Sequence, residues 1–375
     1  MNTAAPPLAP LPHIPAEVRC AQDYEVLARH FIAAPSLAYI AGGCGRDLSV
    51  AANRQALDEL AIVPRLLRDL RGGHTSLNLL GRSLPHPLLL APVAYQTLVH
   101  PRGELETARA AGAMESVLLV STLATRTLEE IAAQGPGERW FQLYFQPDRG
   151  ATEDLLRRAE AAGYGVLVVT LDASIKTPSL SALRAGFQMP EQVRAVNLDP
   201  YPVPPPVSLE RGQSRIFQGV MAAAPGWDDL AWLLDRSRLP VLVKGVLHPE
   251  DARRLQAMGV AGLVVSNHGG RALDGAPASV RMLPRVRAAV GEHYPVLADG
   301  GVRSGSDVFR MLALGADAVL LGRLQVYALA VAGSLGVAHM LKLLREELEL
   351  CMAQAGCATL AEIRRDMIYR ELDEA

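Results

Sequence analysis

Short apolar runs alternate with helical segments from about residue 86 onward, and the runs are rich in valine and leucine. In the segments between them, apolar residues recur every three and four positions, small or acidic residues open the helix and glycine closes it. Strands of this kind that alternate with amphipathic helices predict a parallel sheet covered by helices. The runs are HPLLLAPVAY, VLLVSTLA, RWFQLYF, VLVVTLD, PVLVKGV, GLVVSNHG, PVLADGGV and AVLLGR.

Eight β/α units are the number that closes a (β/α)8 TIM barrel, and we predict this α/β fold. The alternative is an open, doubly wound sheet. That fold has a glycine-rich phosphate-binding turn after its first strand, whereas APVAYQTL, at the end of the first run, contains no glycine. The barrel is therefore favoured.

Two segments lie outside the repeat. Residues 1–85 contain helical stretches around DYEVLARHFIAAPSLAYIAGG and SVAANRQALDEL, which predict an N-terminal arm and a helical cap, with residues 86–375 forming the barrel and its C-terminal helices. The start of the chain is rich in proline and predicts a loose arm. The connection from Asp172 to Pro240, after strand 4, is far longer than an ordinary β/α loop. Loops of that length are lids, substrate-selecting covers or partly disordered segments.

Charge and composition favour a small-molecule partner. The formal net charge is −2 and both signs are mixed along the chain, which gives no basic stripe for nucleic acid and no polybasic membrane patch. The start of the chain lacks the pattern of a signal peptide. The 4 cysteines show neither a CxxC motif nor a metal-ligand spacing, so we expect a reduced, cytoplasmic protein without a metal site.

One apolar window, VYALAVAGSLGVAHMLKLL, has the length of a membrane span. It contains Ser334, His339 and Lys342, which are poorly suited to the centre of a bilayer. A packed helix is the favoured interpretation, and no membrane partner is expected.

Polar residues cluster where the apolar runs end. In a TIM barrel the carboxyl ends of the strands surround the active site. Several of the pairs here are spaced by two, so both side chains of a pair face the same way along a strand. We therefore expect these groups to converge on one mouth. The positions are Ala94, Ser121, Gln142, Tyr144, Thr170, Asp172, Lys244, Ser266, His268, Asp299, Gly301, Arg303, Gly322 and Arg323.

The ends of strands 7 and 8 predict a phosphate site. Gly301 and Gly322 let the backbone approach an anion, and Arg303 and Arg323 supply forked donors. Lys244 stands inside an apolar strand, where an unpaired ammonium is costly, so it needs an anionic partner. Flavin mononucleotide (FMN) fits both features, because its ring becomes anionic on reduction. The expected FMN contacts are Ala94, Ser121, Gln142, Thr170, Lys244, Ser266, Asp299, Gly301, Arg303, Gly322 and Arg323.

Four segments resemble the signature segments of a known family. They are VLVKGV, VSNHGGRALDGAPAS, LADGGVRSGSDVFRMLALGADAVLLGR and WFQLYF, and the similarity runs from about Asp23 to Ile363. The chain is similar to the FMN-dependent α-hydroxy acid oxidases and dehydrogenases, which include glycolate oxidase, lactate oxidase and mandelate dehydrogenase. The resemblance implies FMN as cofactor and a hydroxy acid as substrate. It also matches Lys244 to the family's lysine beside the flavin.

The resemblance assigns roles at the mouth. It implies that His268 is the base that removes a proton from the substrate's hydroxyl-bearing carbon or its hydroxyl, and that Asp172 pairs with the imidazolium. Arg271 would grip the substrate carboxylate with two hydrogen bonds. Tyr39 and Tyr144 match the two family tyrosines whose hydroxyls contact the substrate.

One position departs from the family pattern. The family places a second carboxylate-binding arginine seven residues after the strand 4 aspartate, and that position here is Ser179. Lys176 and Arg184 are nearby cations that could take its place, although neither is in register. The departure favours a substrate larger than glycolate or lactate, bulky or carrier-linked, for which one carboxylate supplies less of the binding energy.

The predicted function is oxidation of a 2-hydroxy acid to the 2-oxo product, with O2 reoxidising FMN and forming H2O2. The alternatives are a dehydrogenase that uses a quinone or protein acceptor, and a non-catalytic flavin-binding paralogue. Ala94 matches the alanine common in the oxidases. A thiol-dependent barrel of the IMP dehydrogenase type is disfavoured, because no cysteine follows a strand end. The resemblance also implies a homo-oligomer such as a tetramer.

Overall fold

The structure is a computed structural model that describes residues 6–203 and 207–369. The strands are β1 (Ala61–Ile62), β2 (Leu77–Leu79), β3 (Arg82–Leu84), β4 (Leu88–Leu90), β5 (Leu118–Ser121), β6 (Arg139–Leu143), β7 (Val166–Thr170), β8 (Val241–Val246), β9 (Gly262–Val265), β10 (Val296–Ala298), β11 (Ala318–Leu321) and β12 (Ile368–Tyr369). The α-helices are α1 (Asp23–Leu27), α2 (Ala34–Ala41), α3 (Leu48–Asp58), α4 (Glu104–Ala113), α5 (Leu128–Ala132), α6 (Arg149–Ala161), α7 (Leu180–Arg184), α8 (Trp227–Arg236), α9 (Pro249–Ala257), α10 (Ser279–Val290), α11 (Gly305–Ala313) and α12 (Arg323–Ala355).

Strands β4 to β11 form a closed parallel barrel in chain order, and β11 closes it by pairing with β4. Each of these strands lies in one of the apolar runs of the sequence, and a helix lies between each strand and the next. The predicted (β/α)8 TIM barrel is therefore confirmed, and the open doubly wound sheet is wrong. The runs are apolar throughout because the inner side chains fill the barrel and the outer ones pack under the helices.

Inward-facing side chains fill the barrel as a separate apolar cluster. Leu89, Leu119, Trp140 and Val168 belong to it, and all are buried. Leu79 of the antiparallel hairpin β2–β3 joins the same cluster, and this hairpin directly precedes β4. The barrel interior is thus a packed core, which leaves the opposite, carboxyl ends of the strands for a site.

The long apolar window of the sequence lies in α12. This helix has the length and apolar composition of a membrane span, but 78% of its most apolar window is buried within the protein. Its backbone is not continuously helical, because Ala332 (φ −148°) and Gly333 (φ +57°) leave the helical region. Packing against α4, α11 and α1 accounts for its apolar surface.

The N-terminal segment is held against the barrel. In the described part of the arm, the Leu8 amide donates to His30 O and the Leu11 amide to Val331 O, both at 2.8 Å, so the expectation of a loose arm is wrong there. Residues 1–5 lie outside the described residues. Strand β1 pairs with β12 and so joins this segment to the end of the described chain. The division into two units near residue 85 stays a prediction.

The long connection after β7 is partly helical. It contains α7, a π-helical turn at Arg215–Gly219, and α8, which is the helix that leads into β8. Helix α7 packs against α2 of the N-terminal segment. Residues 204–206, within the proline-rich DPYPVPPPV, lie outside the described residues.

Candidate active site

The sequence-predicted residues meet in one pocket at the carboxyl ends of the barrel strands. Asp172 and Ser266 are the predicted residues that do not line it themselves, but each is hydrogen-bonded to one that does. The predicted residues that line it are Tyr39, Ala94, Ser121, Gln142, Tyr144, Thr170, Lys244, His268, Arg271, Asp299, Gly301, Arg303, Gly322 and Arg323.

His268 is oriented by two hydrogen bonds. Its Nδ1 lies 2.9 Å from Asp172 Oδ1, and its backbone amide donates to Ser266 Oγ at 3.0 Å. The ring is therefore placed with Nε2 toward the pocket, 3.5 Å from the Tyr144 hydroxyl. A carboxylate that accepts from Nδ1 keeps the proton there and leaves Nε2 as the free acceptor. This is the arrangement that a general base needs.

The protonation states of His268, Asp172 and Tyr144 follow from their surroundings. Burial lowers the pKa of His268 below its ordinary value and outweighs the opposite effect of Asp172, so the imidazole is neutral near pH 7. Burial acts to raise the pKa of Asp172, but the hydrogen bond from His268 and the positive charges of Lys244 and Lys176 lower it by more, so this carboxyl stays ionised. Burial raises the pKa of Tyr144, which keeps its hydroxyl protonated and able to donate.

A bulge in β8 makes room for Asp172. The pairing of β8 with β9 shifts between Lys244 and Val246, and Gly245 between them has φ +101°. A Cβ on Gly245 would stand 2.5 Å from the Cβ of Asp172. Glycine is therefore required at this position by both the backbone conformation and the close approach.

The backbone around His268 is unusual and is supported by the N-terminal segment. His268 (φ +59°), Gly269 and Gly270 all have positive φ, which for a histidine costs on the order of 1–3 kcal/mol. The Cys44 amide donates to Gly270 O at 2.9 Å. Asn267 and Asn53 of α3 exchange two hydrogen bonds of 2.9 Å. Part of the predicted helical cap therefore holds the loop that carries His268.

Arg271 is anchored at the carboxyl end of α2. Its Nη1 donates to Tyr39 O at 2.7 Å and to Gly42 O at 2.8 Å, and its guanidinium carbon lies 4.9 Å from the centre of the Tyr39 ring. In the described part of the chain, Nε and Nη2 have no hydrogen-bond acceptor, so these donors are available to a carboxylate. Tyr39 is in turn stacked on Phe187, with ring centroids 4.3 Å apart.

Lys244 has the anionic partner that its buried position requires. Its Nζ lies 3.0 Å from Asp299 Oδ2 and donates to Ser266 Oγ at 2.8 Å. Burial acts to lower the pKa of Lys244, but Asp299 and Asp172 raise it above its ordinary value. The lysine is therefore a fixed positive charge that lines the pocket.

Buried polar atoms in the pocket fit a bound FMN. Gln142 Nε2 and Thr170 Oγ1 are buried and have no hydrogen-bond partner among residues 6–203 and 207–369, although both residues line the pocket. Such atoms are costly unless a ligand satisfies them. A flavin ring, with its nitrogen and carbonyl groups, supplies the complementary partners.

The residues of the predicted phosphate site are placed partly as expected. Arg323 has no carboxylate within ion-pair distance in the described ranges, and burial together with Arg271 lowers its pKa to about 10. A buried guanidinium in that state favours an anion, and a Cβ on Gly322 would meet open space there. Arg303 lines the same pocket, but its Nε and Nη2 are paired with Glu25 of α1. Gly301 (φ +85°) is also required by packing, because its Cβ would lie 2.8 Å from Asn53 O.

The pocket also contains residues that were not predicted as site residues, among them Tyr95 and Lys176. Tyr95 follows the predicted Ala94 and has φ +56°, which no sequence pattern signalled. Lys176 was considered only as out of register, yet it lines the pocket. Ser179, in the register position, caps α7 instead and accepts from the Ala182 amide at 3.3 Å.

Comparisons with known proteins identify the family of the chain. The family model described as FMN-dependent dehydrogenase matches residues 28–370. An L-lactate oxidase of Alicycliphilus denitrificans is 63% identical and covers 96% of this chain and 99% of its own. An L-lactate oxidase of a Roseobacter species is 47% identical, with 92% and 93% covered. A solved structure of mandelate oxidase with benzoyl-formic acid has a TM-score of 0.85 at 41% identity, and covers 94% of this chain and 98% of its own.

Proposed function

Since this chain belongs to the family of FMN-dependent dehydrogenases, we propose that it oxidises L-lactate to pyruvate with O2 as the electron acceptor. The broader activity is that of the family: the chain is an FMN-dependent oxidoreductase that converts a 2-hydroxy acid to a 2-oxo acid. The observation that carries the proposal is the hydrogen-bonded pair His268–Asp172, which opens onto the same pocket as Arg271.

The polar side chains that line the substrate part of the pocket each have a role in this reaction. The free donors of Arg271 bind the substrate carboxylate. The hydroxyls of Tyr39 and Tyr144 line the same space and orient the substrate. His268 Nε2 takes a proton from the substrate, and the imidazolium that forms is stabilised by Asp172, 2.9 Å from Nδ1. A bound FMN would supply the two-electron acceptor: the electron pair and the second hydrogen of the substrate would pass to it, and with the proton held by His268 they would reduce O2 to H2O2.

Lys244 and the unsatisfied polar atoms would hold the cofactor. The ammonium of Lys244 lines the pocket as a fixed positive charge and favours electron density at a neighbouring ring. Gln142 and Thr170 would donate to ring heteroatoms, and Arg323 would bind the phosphate.

Two observations favour lactate over a larger acid. The L-lactate oxidase of Alicycliphilus denitrificans is similar over nearly the whole of both chains. The larger substrate was expected because Ser179 carries no charge, whereas a cation of the same connection, Lys176, lines the pocket. The non-catalytic alternative does not account for a base and an ionised carboxylate at hydrogen-bond distance.

Anaerobic mixing of the holoenzyme with single hydroxy acids tests the substrate. L-lactate should bleach the flavin absorbance faster than glycolate or mandelate, and D-lactate should leave it unchanged. If mandelate reduces the flavin and L-lactate does not, the substrate is wrong and the larger acid is right. If no hydroxy acid reduces it, the protein is the non-catalytic paralogue.

Readmission of O2 to the reduced enzyme tests the acceptor. H2O2 should form in equal amount to pyruvate. Slow reoxidation by O2 together with fast reoxidation by a quinone would identify a dehydrogenase instead. The cytoplasmic location and the homo-oligomeric state stay predictions, and light scattering on the purified holoenzyme tests the second.

A further inference from the structure

We propose that Lys176 is a second substrate-binding cation, which shares the substrate carboxylate with Arg271. The inference rests on the proposed function, because it concerns how the same pocket holds its 2-hydroxy acid. It assigns the role that Ser179 does not fill to a lysine four residues after Asp172.

Lys176 lies in the pocket where the carboxylate must bind. It lines the same pocket as His268 and Arg271. Its Nζ stands 5.6 Å from the centre of the Tyr144 ring, which is within the range of a cation–π contact. Tyr144 is also the side chain that faces His268 Nε2. The ammonium therefore lies over the ring whose hydroxyl faces the base.

Lys176 has no committed partner in the described residues. No carboxylate oxygen among them lies within 4.0 Å of its Nζ, and none of their atoms accepts a hydrogen bond from it. The neighbouring carboxylate of Asp172 is bonded through Oδ1 to His268. Two cations, Lys176 and Arg271, thus face one pocket with donors unused, and an anionic ligand between them relieves their repulsion.

The surroundings of Lys176 lower the pKa of its ammonium. Crowding by protein atoms and the positive charge of Arg271 lower the pKa of Lys176 to about 8. The side chain is nevertheless exposed to solvent at the mouth of the pocket, so hydration offsets part of this lowering. The charged and titratable groups that face it are Arg271, Asp172, Lys244, Tyr144 and His268.

The other candidates do not face the pocket. Ser179 is the N-cap of α7, its hydroxyl lies 2.9 Å from Ser181 Oγ, and its backbone forms a bridge with Gly45. Arg184, in the last turn of α7, is exposed and does not line the pocket. Among the described residues of this connection, Lys176 is thus the cation that lines the pocket.

The test compares Lys176→Met, Lys176→Arg and the control Arg184→Met as holoenzymes. The dissociation constant of pyruvate is measured from the change in flavin absorbance. We expect Lys176→Met to weaken pyruvate binding by about ten- to a hundredfold, since a charge-assisted hydrogen bond is lost. Lys176→Arg should retain most of the affinity, and Arg184→Met should bind like the wild type.

A pH series separates a binding role from a structural one. A lysine binds the carboxylate fully below its pKa and loses this contact as the pH rises through it, so wild-type affinity should fall as the pH rises above about 8. Lys176→Arg should show no such fall, because arginine stays charged. Binding by Lys176→Met that equals the wild type, or an equal fall in Lys176→Arg, would overturn the assignment.

The same data distinguish the two proposals. If the wild type binds pyruvate and oxidises L-lactate while Lys176→Met is unaffected, only the role of Lys176 is wrong. If the wild type neither binds pyruvate nor oxidises L-lactate, the proposed function is wrong, and the role of Lys176 falls with it.

Discussion

Replacing Asp172 with asparagine tests the central pair of the site. The change keeps the shape of the side chain but removes the negative charge 2.9 Å from His268 Nδ1. The carboxylate stabilises the imidazolium that forms when Nε2 takes the substrate proton, and a hydrogen bond to a charged group contributes about 1.5–3 kcal/mol. Its loss in the transition state corresponds to a decrease of about ten- to a hundredfold in the rate of flavin reduction.

The pH dependence should change in a defined direction. His268 must be neutral to act as base, so wild-type kcat/KM rises with pH through the pKa of His268, which lies below its ordinary value. Asp172 acts to raise that pKa. In Asp172→Asn the acid limb of the profile should therefore move to still lower pH, while the plateau rate is reduced.

The assay is anaerobic stopped-flow reduction of the flavin by L-lactate from about pH 5 to about pH 9. FMN content is measured alongside, to exclude loss of cofactor. Reduction by Asp172→Asn at the wild-type rate on the plateau would show that the charge of Asp172 does not assist the base, and the assigned role would be refuted.

Three further substitutions follow from the same geometry. His268→Ala should slow flavin reduction by about a hundredfold to ten-thousandfold with FMN still bound, whereas His293→Ala, at the surface, should not; rapid reduction by the former would refute the base. Gly245→Ala should lower kcat/KM about tenfold or more and destabilise the fold by about 1–3 kcal/mol, because the new Cβ would clash with Asp172 and the backbone φ of +101° is unfavourable for alanine. Steady-state kinetics measures the first effect and thermal unfolding the second. Ser179→Arg should lower the free energy of unfolding by about 1 kcal/mol, because the N-cap of α7 is lost, and should not lower the KM for L-lactate. A lower KM would contradict the placement of position 179 outside the pocket.

Much of the site was predictable because a barrel converts strand ends into neighbours. His268 and Asp172 are 96 residues apart, yet each follows an apolar run, and the ends of all parallel strands meet on one face. The same rule predicted Lys244 in the pocket, and its burial in an apolar strand required a partner such as Asp299. These predictions needed only the count of the runs and the alternation of side chains along a strand.

Contacts within irregular segments were not predictable in this way. Asp172 leaves no room for a side chain at position 245. Cys44 and Asn53 hold the loop that carries His268. In both places, chain segments far apart in sequence pack together. Neither contact follows from a periodic pattern. The sequence showed that glycines and polar residues occur at these places, but only the folded chain shows what each of them touches.

The loop after β7 shows most clearly what could not be predicted from the sequence. Counting from Asp172 led to Ser179 as the position of a second carboxylate-binding cation, and the absence of a charge there suggested a larger substrate. In the folded chain Ser179 turns into the start of α7, and Lys176 lines the pocket instead. The sequence determined the barrel and the residues at its mouth, since these depend on regular periods, and the family resemblance implied the roles of those residues. An irregular loop has no repeating pattern of side-chain directions, so the direction of each side chain depends on what the loop packs against. Only the tertiary structure decided which side chain of this loop faces the pocket.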